Sequence, residues 1–306
     1  MIGELRNQIN EYFIGKEEVV ENVLICLLAG GHVLLEDVPG VGKTTLAKVL
    51  AGSLDLSFGR IQFTPDTLPG DVTGCYVFNM KNSEFEYREG AIMRQIILAD
   101  EINRTSPKTQ SALLEAMAEG SVTVDGNRFM LPEPFMVIAT QNPVEFVGTF
   151  PLPEAALDRF MMRLSIGYPE EKEELRLARN FFEGKTPETL KSICGTKDIL
   201  RIREETKKTV LNDSMIAYAR EIVELTRNEN RFVLGASPRA LLSLLAASQA
   251  RAFIHGRDFV KPDDIKATAV FVLHHRLSLT PEAKIRKEDI DSIIRSLVLK
   301  VKVPME

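Results

Sequence analysis

The residues that most restrict this chain are Asp37-Val38-Pro39-Gly40-Val41-Gly42-Lys43-Thr44. They follow a short apolar run at 33–35, a buried-strand pattern, and open the helical spacing of 44–50. Two glycines in such a turn let the backbone curl until successive N–H groups face inward, forming a cradle for an anion. The first turn of the following helix adds the positive end of its dipole. Lys43 brings a mobile full charge to outer phosphates, and the Thr44 hydroxyl suits magnesium. One position departs from G-x-x-x-x-G-K-[ST]: the first glycine is Asp37. Aspartate tolerates left-handed backbone angles better than most residues, so the loop survives if its carboxylate turns away from the phosphates. The expectation is a site for ATP or ADP with Mg2+, built on Pro39, Gly40, Val41, Gly42, Lys43, Thr44 and Thr45.

A second element fits the same chemistry. The apolar run at 96–99 ends in Asp100-Glu101. Adjacent acids at the end of a buried strand repel each other unless a cation is near. In a P-loop protein Asp100 holds the magnesium, through water, and Glu101 orients and deprotonates the attacking water. A third apolar run lies at 136–139, with weaker ones at 60–64 and 162–166. Helical patterns at 44–50 and 107–117 lie between them; Ser106 is an N-cap and Pro107 the first helical residue of the second. Strands alternating with helices imply an α/β fold with a parallel sheet. Two stretches interrupt the rhythm. The runs 122–124 and 129–131 flank Asp125-Gly126, and 76–78 and 85–87 flank Lys81-Asn82-Ser83, so two β-hairpins are expected. After about Tyr168-Pro169 only helical periodicity remains, at 170–182, 214–227, 238–253, 262–274 and 288–297. That places an α/β core at 1–168 and an all-helical domain at 169–306.

The remaining composition excludes more than it identifies. The 306 residues are enough for two cores. Lys and Arg number 38 against 43 Asp and Glu, leaving a net charge of −5, without the basic stripe of a nucleic-acid binder. No apolar run is long enough to span a membrane, and the start of the chain lacks a signal-peptide pattern. Cys26, Cys75 and Cys194 form no C-x-x-C pair, which fits a reducing cytoplasm rather than a disulfide framework. His32, His255, His274 and His275 show no metal-site spacing and read as structural.

Longer runs carry a resemblance. LLEDVPGVGKT at 34–44, QFTPD at 62–66, LADEINRTSPKTQSALLEAM at 98–117, ATQNP at 139–143, LPEAALDRF at 152–160, GASPR at 235–239 and GRDFV at 256–260 closely resemble the MoxR family of AAA+ ATPases. The match runs in order along nearly the whole chain and is weakest at 192–213. The resemblance implies a P-loop core with sheet order 5-1-4-3-2 and a helical lid, forming a ring, usually a hexamer. By the same resemblance Asn142 is the sensor-1 residue and Arg159 an arginine finger reaching a neighbour's nucleotide. Arg239 is sensor 2, acting in cis or in trans; its place in a helix's first turn independently calls for an anion. Beside Asp158, Arg159 also reads as half of a surface ion pair. FIGK at 13–16 resembles the adenine-side segment, bringing Ile14 and Gly15 into the site. The hairpins match the helix-2 insert and the pre-sensor-1 hairpin, with Tyr76, Phe78, Phe85 and Tyr87 as client-facing or packing aromatics. The family implies a chaperone or remodeller in assembly or metal or cofactor maturation of protein complexes. Its implied partners are a von Willebrand factor A-type protein and a protein client, with no nucleic acid. Alternatives are a nucleic-acid motor of the helix-2-insert class, disfavoured by the acidic balance, and a magnesium-chelatase-like subunit. A small-molecule P-loop kinase is disfavoured by the paired Asp100-Glu101 and the helical second half.

Overall fold

In the computed structural model, residues 1–142 and 148–304 are described. Pro143, the end of the ATQNP run, lies outside them. Along the chain, α1 (Ile2–Tyr12) and α2 (Glu17–Ala29) precede β1 (Val33–Glu36). Then come α3 (Lys43–Ser53), β2 (Phe58–Gln62), α4 (Pro69–Thr73), β3 (Gly74–Asn79) and β4 (Glu84–Glu89). β5 (Ile96–Asp100), α5 (Pro107–Glu119), β6 (Ser121–Val124), β7 (Asn127–Met130) and β8 (Met136–Gln141) follow. The rest comprises α6 (Glu154–Leu157), β9 (Met162–Leu164), α7 (Glu171–Phe182), α8 (Thr196–Lys207) and α9 (Asp213–Arg227). After these come β10 (Phe232–Leu234), α10 (Pro238–Ile254), α11 (Pro262–Leu273), β11 (Ser278–Leu279), α12 (Pro281–Ile285) and α13 (Ile290–Lys300).

The main sheet has the order β2-β5-β8-β1-β9, the expected 5-1-4-3-2 read from the other edge. β2, β5, β8 and β1 pair in parallel, with Gln62 opposite Asp100 and Glu36 opposite Gln141. Their polar last residues therefore gather at the carboxyl end, where ligands of open α/β sheets bind. The strand interiors are apolar on both faces: Ile96–Ala99 and Met136–Ala139 are essentially inaccessible, as burial under helices demands.

Both expected hairpins are present. β6 and β7 turn at Asp125 (φ 48°) and Gly126 (φ 81°), two positive φ values that match the right-handed twist of the arms. β3 and β4 pair with Tyr76 opposite Tyr87 and Phe78 opposite Phe85. The four aromatics divide between two roles. Tyr87 stacks on Phe129 of β7 at 3.8 Å between ring centres, and the Tyr76 hydroxyl accepts from Asn127, so these pack one hairpin against the other. Phe78 and Phe85 meet edge to face and stay exposed.

The chain forms two compact units. One comprises Met1–Glu21, His32–Pro153 and Ser165–Leu200, the other Asn22–Gly31, Glu154–Leu164 and Arg201–Glu306. Within the second, Ser237 accepts a hydrogen bond from the Ala240 amide and Pro238 opens α10, as the sequence signals. This largely helical unit also holds a small antiparallel ribbon, β10 with β11, whose strands are too short for any period to reveal.

Candidate functional site

The phosphate loop leaves β1 and turns into α3 through Gly40 (φ 88°) and Gly42 (φ 93°), left-handed angles that strain any other residue. Space is also tight at Gly42: a Cβ there would lie 3.2 Å from the Phe13 ring. Asp37 does not use the left-handed region that its residue type would tolerate. Its carboxylate turns away from the loop, accepting from Ser165 Oγ and from the amides of Ile166 and Gly167. Its main-chain oxygen accepts from Lys43 Nζ at 2.6 Å. Burial lowers the Lys43 ammonium from its ordinary pKa, while the carboxylates of Asp37, Asp100 and Glu101 oppose that shift.

Two cavities meet at Gly40 and Gly42. The smaller, about 390 Å³, is lined by Pro39, Lys43, Thr44, Asp100, Glu101 and Asn142, with Arg60 and Gln62 from β2. The larger, about 510 Å³, has Val41 and Thr45 on the loop side and Ile14, Lys16, Tyr168 and Leu177 among its walls. Gly15 turns the chain beside it at φ 73°, where a Cβ would strike the Glu173 carboxylate. The structure thus assembles the loop residues, Asp100, Glu101, Asn142 and Ile14 around two adjoining cavities that share Gly40 and Gly42. The polar, smaller one matches phosphates and the mixed, partly apolar larger one matches a base. Thr44 and Asp100 offer a hydroxyl and a carboxylate, hard oxygen donors that fit magnesium.

Thr140 organises the two acids. Its hydroxyl donates to Asp100 Oδ1 at 2.7 Å and accepts from the Glu101 amide at 2.9 Å. The protein supplies cations to both acids: Arg60 donates to Asp100 Oδ2 at 2.6 Å, and Arg104 to Glu101 Oε2 at 3.0 Å. Gln62 also donates to Glu101 Oε2, at 2.8 Å. Glu101 itself sits at φ 58°, a left-handed angle that turns its side chain out of the strand register. Sequence reasoning overlooked Thr140, Arg60 and Arg104. Thr140 and Arg104 lie inside runs that carry the family resemblance, whereas Arg60 lies in none.

Comparison with known proteins agrees with this geometry. Residues 32–162 match the ATPase family associated with various cellular activities, and residues 224–297 match the AAA lid domain. MoxR1 of Mycobacterium tuberculosis, named a chaperone, is 38% identical over 97% of this chain and 81% of its own length. The chain belongs to the MoxR family of AAA+ ATPases. YeaC of Bacillus subtilis is 51% identical over 100% of this chain and 96% of its own. A crystal structure of an ATPase-class protein from Cytophaga hutchinsonii superposes with a TM-score of 0.93 at 39% identity, covering 99% of this chain and 95% of that one.

The two remaining residues singled out by the MoxR resemblance belong to the second unit. Arg159 is half-buried after α6, and Arg239 is exposed in the first turn of α10. Asp158 accepts from Arg276 Nε at 2.6 Å. Arg276 is 6% exposed and also donates to the carbonyls of Phe160, Met161 and Val272. Ser237, the N-cap of α10, donates to both Asp158 oxygens at 3.2 and 3.3 Å. One carboxylate therefore braces both the segment carrying Arg159 and the start of the helix carrying Arg239. Of the histidines, His275 donates to the Phe160 carbonyl, and burial holds its pKa well below the ordinary value. His32 Nδ1 accepts from the Val137 amide, which ties the start of β1 to β8.

Proposed function

We propose that this MoxR-family chain is a magnesium-dependent ATPase subunit of a ring, usually a hexamer, working as a chaperone or remodeller of protein complexes. The observation that carries the reading is the gathering of Lys43, Thr44, Asp100, Glu101 and Asn142 on the cavity behind the phosphate loop. Main-chain N–H groups of Gly40–Thr45 and the Lys43 ammonium bind phosphates, and Ile14 contacts the base. Thr44 and Asp100 hold magnesium, which when bound neutralises charge on phosphoryl oxygens. Glu101 accepts the proton of the attacking water, and Asn142 orients that water or the outer phosphate. Arg159 reaches a neighbouring subunit's nucleotide, and Arg239 contacts phosphate in cis or in trans. In this reading residues 1–168 act as the nucleotide-binding core and 169–306 as the lid. The partners are a von Willebrand factor A-type protein and a protein client in the cytoplasm, with no nucleic acid. The chaperone name of the Mycobacterium relative supports the process.

Phosphate release per subunit, measured against protein concentration, tests the ring. In the wild type the specific rate climbs with concentration, and Arg159→Ala lowers it by about 10³ at saturating ATP. A rate independent of concentration and unaffected by Arg159→Ala sinks the shared site. A second expectation concerns Thr140. Thr140→Val keeps the shape but leaves the Glu101 amide unpaired and Asp100 unsupported. It lowers kcat roughly ten- to a hundredfold and stability by about 1–3 kcal/mol. Steady-state kinetics and urea unfolding read both; an unchanged kcat removes Thr140 from the site.

A further inference from the structure

Asp37 stands where the phosphate-loop pattern has its first glycine, and the structure gives it a task that glycine cannot perform. The residue is 7% exposed. Oδ1 accepts from Ser165 Oγ and from the Gly167 amide, both at 3.1 Å, and Oδ2 accepts from the Ile166 amide. Residues 165–170 have no regular secondary structure, so this carboxylate takes the place of a ladder partner for two successive main-chain donors. Directly after them, Tyr168 and Pro169 wall the larger cavity, and Ile166 and Gly167 line it too. At the other end of the same residue, the Asp37 carbonyl holds the Lys43 ammonium. A single residue therefore touches both the phosphate-side cation and the base-side wall.

We infer that Asp37 is a positioning residue for nucleotide binding, whose carboxylate fastens the Ser165–Gly167 segment, and with it the Tyr168 wall, to the phosphate loop. The inference rests on reading the two adjoining cavities as the nucleotide site. It predicts that the side chain matters for ligands that carry a base and much less for bare phosphates. The Asp37 backbone needs no glycine, so Asp37→Gly restores the common loop pattern and removes the tether, along with one of three carboxylates acting on Lys43. Asp37→Asn keeps the shape and one acceptor oxygen but turns an amide donor toward main-chain N–H groups.

Equilibrium titration with Mg-ADP and with magnesium tripolyphosphate, together with steady-state ATP kinetics, tests this on the full chain. For Asp37→Gly the Kd for ADP and the KM for ATP rise on the order of ten- to a hundredfold. The Kd for tripolyphosphate and kcat at saturating ATP stay within about threefold. Asp37→Asn falls between the wild type and Asp37→Gly, and provides the measurement should the glycine variant not fold. Equal losses for ADP and tripolyphosphate overturn the inference, because the carboxylate then serves the phosphate loop itself. A lowered melting temperature with unchanged ADP affinity also overturns it, leaving a purely structural tether. Wild-type protein that binds tripolyphosphate no more weakly than ADP overturns the nucleotide reading of the larger cavity, and the inference with it.

Discussion

Glu101→Gln is expected to lower steady-state phosphate release by roughly 10²–10⁴ while nucleotide affinity changes by less than about threefold. The substitution keeps size, shape and the backbone N–H that donates to Thr140. Glutamine occupies the left-handed angle at this position about as well as glutamate does. The amide oxygen still accepts from Gln62 or Arg104, so the local structure holds. What disappears is the capacity to take a proton from water. Lys43→Ala has the opposite profile. It removes the only lysine among the described residues lining the smaller cavity and weakens ATP binding itself, by roughly 2–5 kcal/mol for a lost charge-assisted contact. Equilibrium binding of a fluorescent ATP analogue, read beside phosphate release, separates the two. A Glu101→Gln variant with wild-type kcat moves the base elsewhere; a Lys43→Ala variant with wild-type affinity removes the phosphate reading of the loop.

What was legible in the sequence was whatever depends on neighbours in the chain. Gly40 and Gly42 announce their turn because only glycine adopts those angles without strain. Ser106-Pro107 and Ser237-Pro238 announce helix starts because capping and a fixed φ act within one turn. Asp125-Gly126 announces its hairpin for the same reason. The buried strands were visible as apolar runs, and the family resemblance supplied their order. Periodicity could not show what each polar side chain meets across the fold. The Arg60 partnership with Asp100 spans 40 residues, and the Arg276 partnership with Asp158 spans 118. Neither leaves a local trace. Asp158 illustrates the difficulty, since sequence adjacency points only to Arg159, while packing also brings Arg276 to it. Thr140 was hidden differently: it reads as an ordinary β-branched strand residue, and only parallel pairing beside β5 brings its hydroxyl to Asp100. The change of period near 168 marks where the strands of the main sheet stop. Compactness instead follows contacts, and those assign Asn22–Gly31 and Glu154–Leu164 to the largely helical unit.

The largest stability effect is expected at Asp158. Burial holds the Arg276 guanidinium below its ordinary pKa; the Asp158 carboxylate opposes that shift and Arg239 adds to it. Asp158→Ala leaves a buried cation with carbonyls but no counter-charge, and also unbraces the N-cap of α10. Breaking one side of a buried pair costs about 3–5 kcal/mol, which shifts Tm by roughly 10 °C in a domain of this size. Arg159→Ala, one residue along and half-exposed, is expected to cost less than about 1 kcal/mol. Asp158→Ala combined with Arg276→Met removes both charges and fills the space with an apolar chain, so it is expected to recover at least half of the loss. Urea unfolding of these proteins, with Arg276→Met alone as the fourth corner beside the wild type, Asp158→Ala and the double variant, closes the cycle. If Asp158→Ala and Arg159→Ala unfold at the same urea concentration, the pair does not hold this unit together. A double variant no more stable than Asp158→Ala would place the cost in the lost brace on Ser237 instead. Recovery in the double variant, with ATP hydrolysis still impaired, means that Asp158 serves the site by fixing where Arg159 and α10 stand.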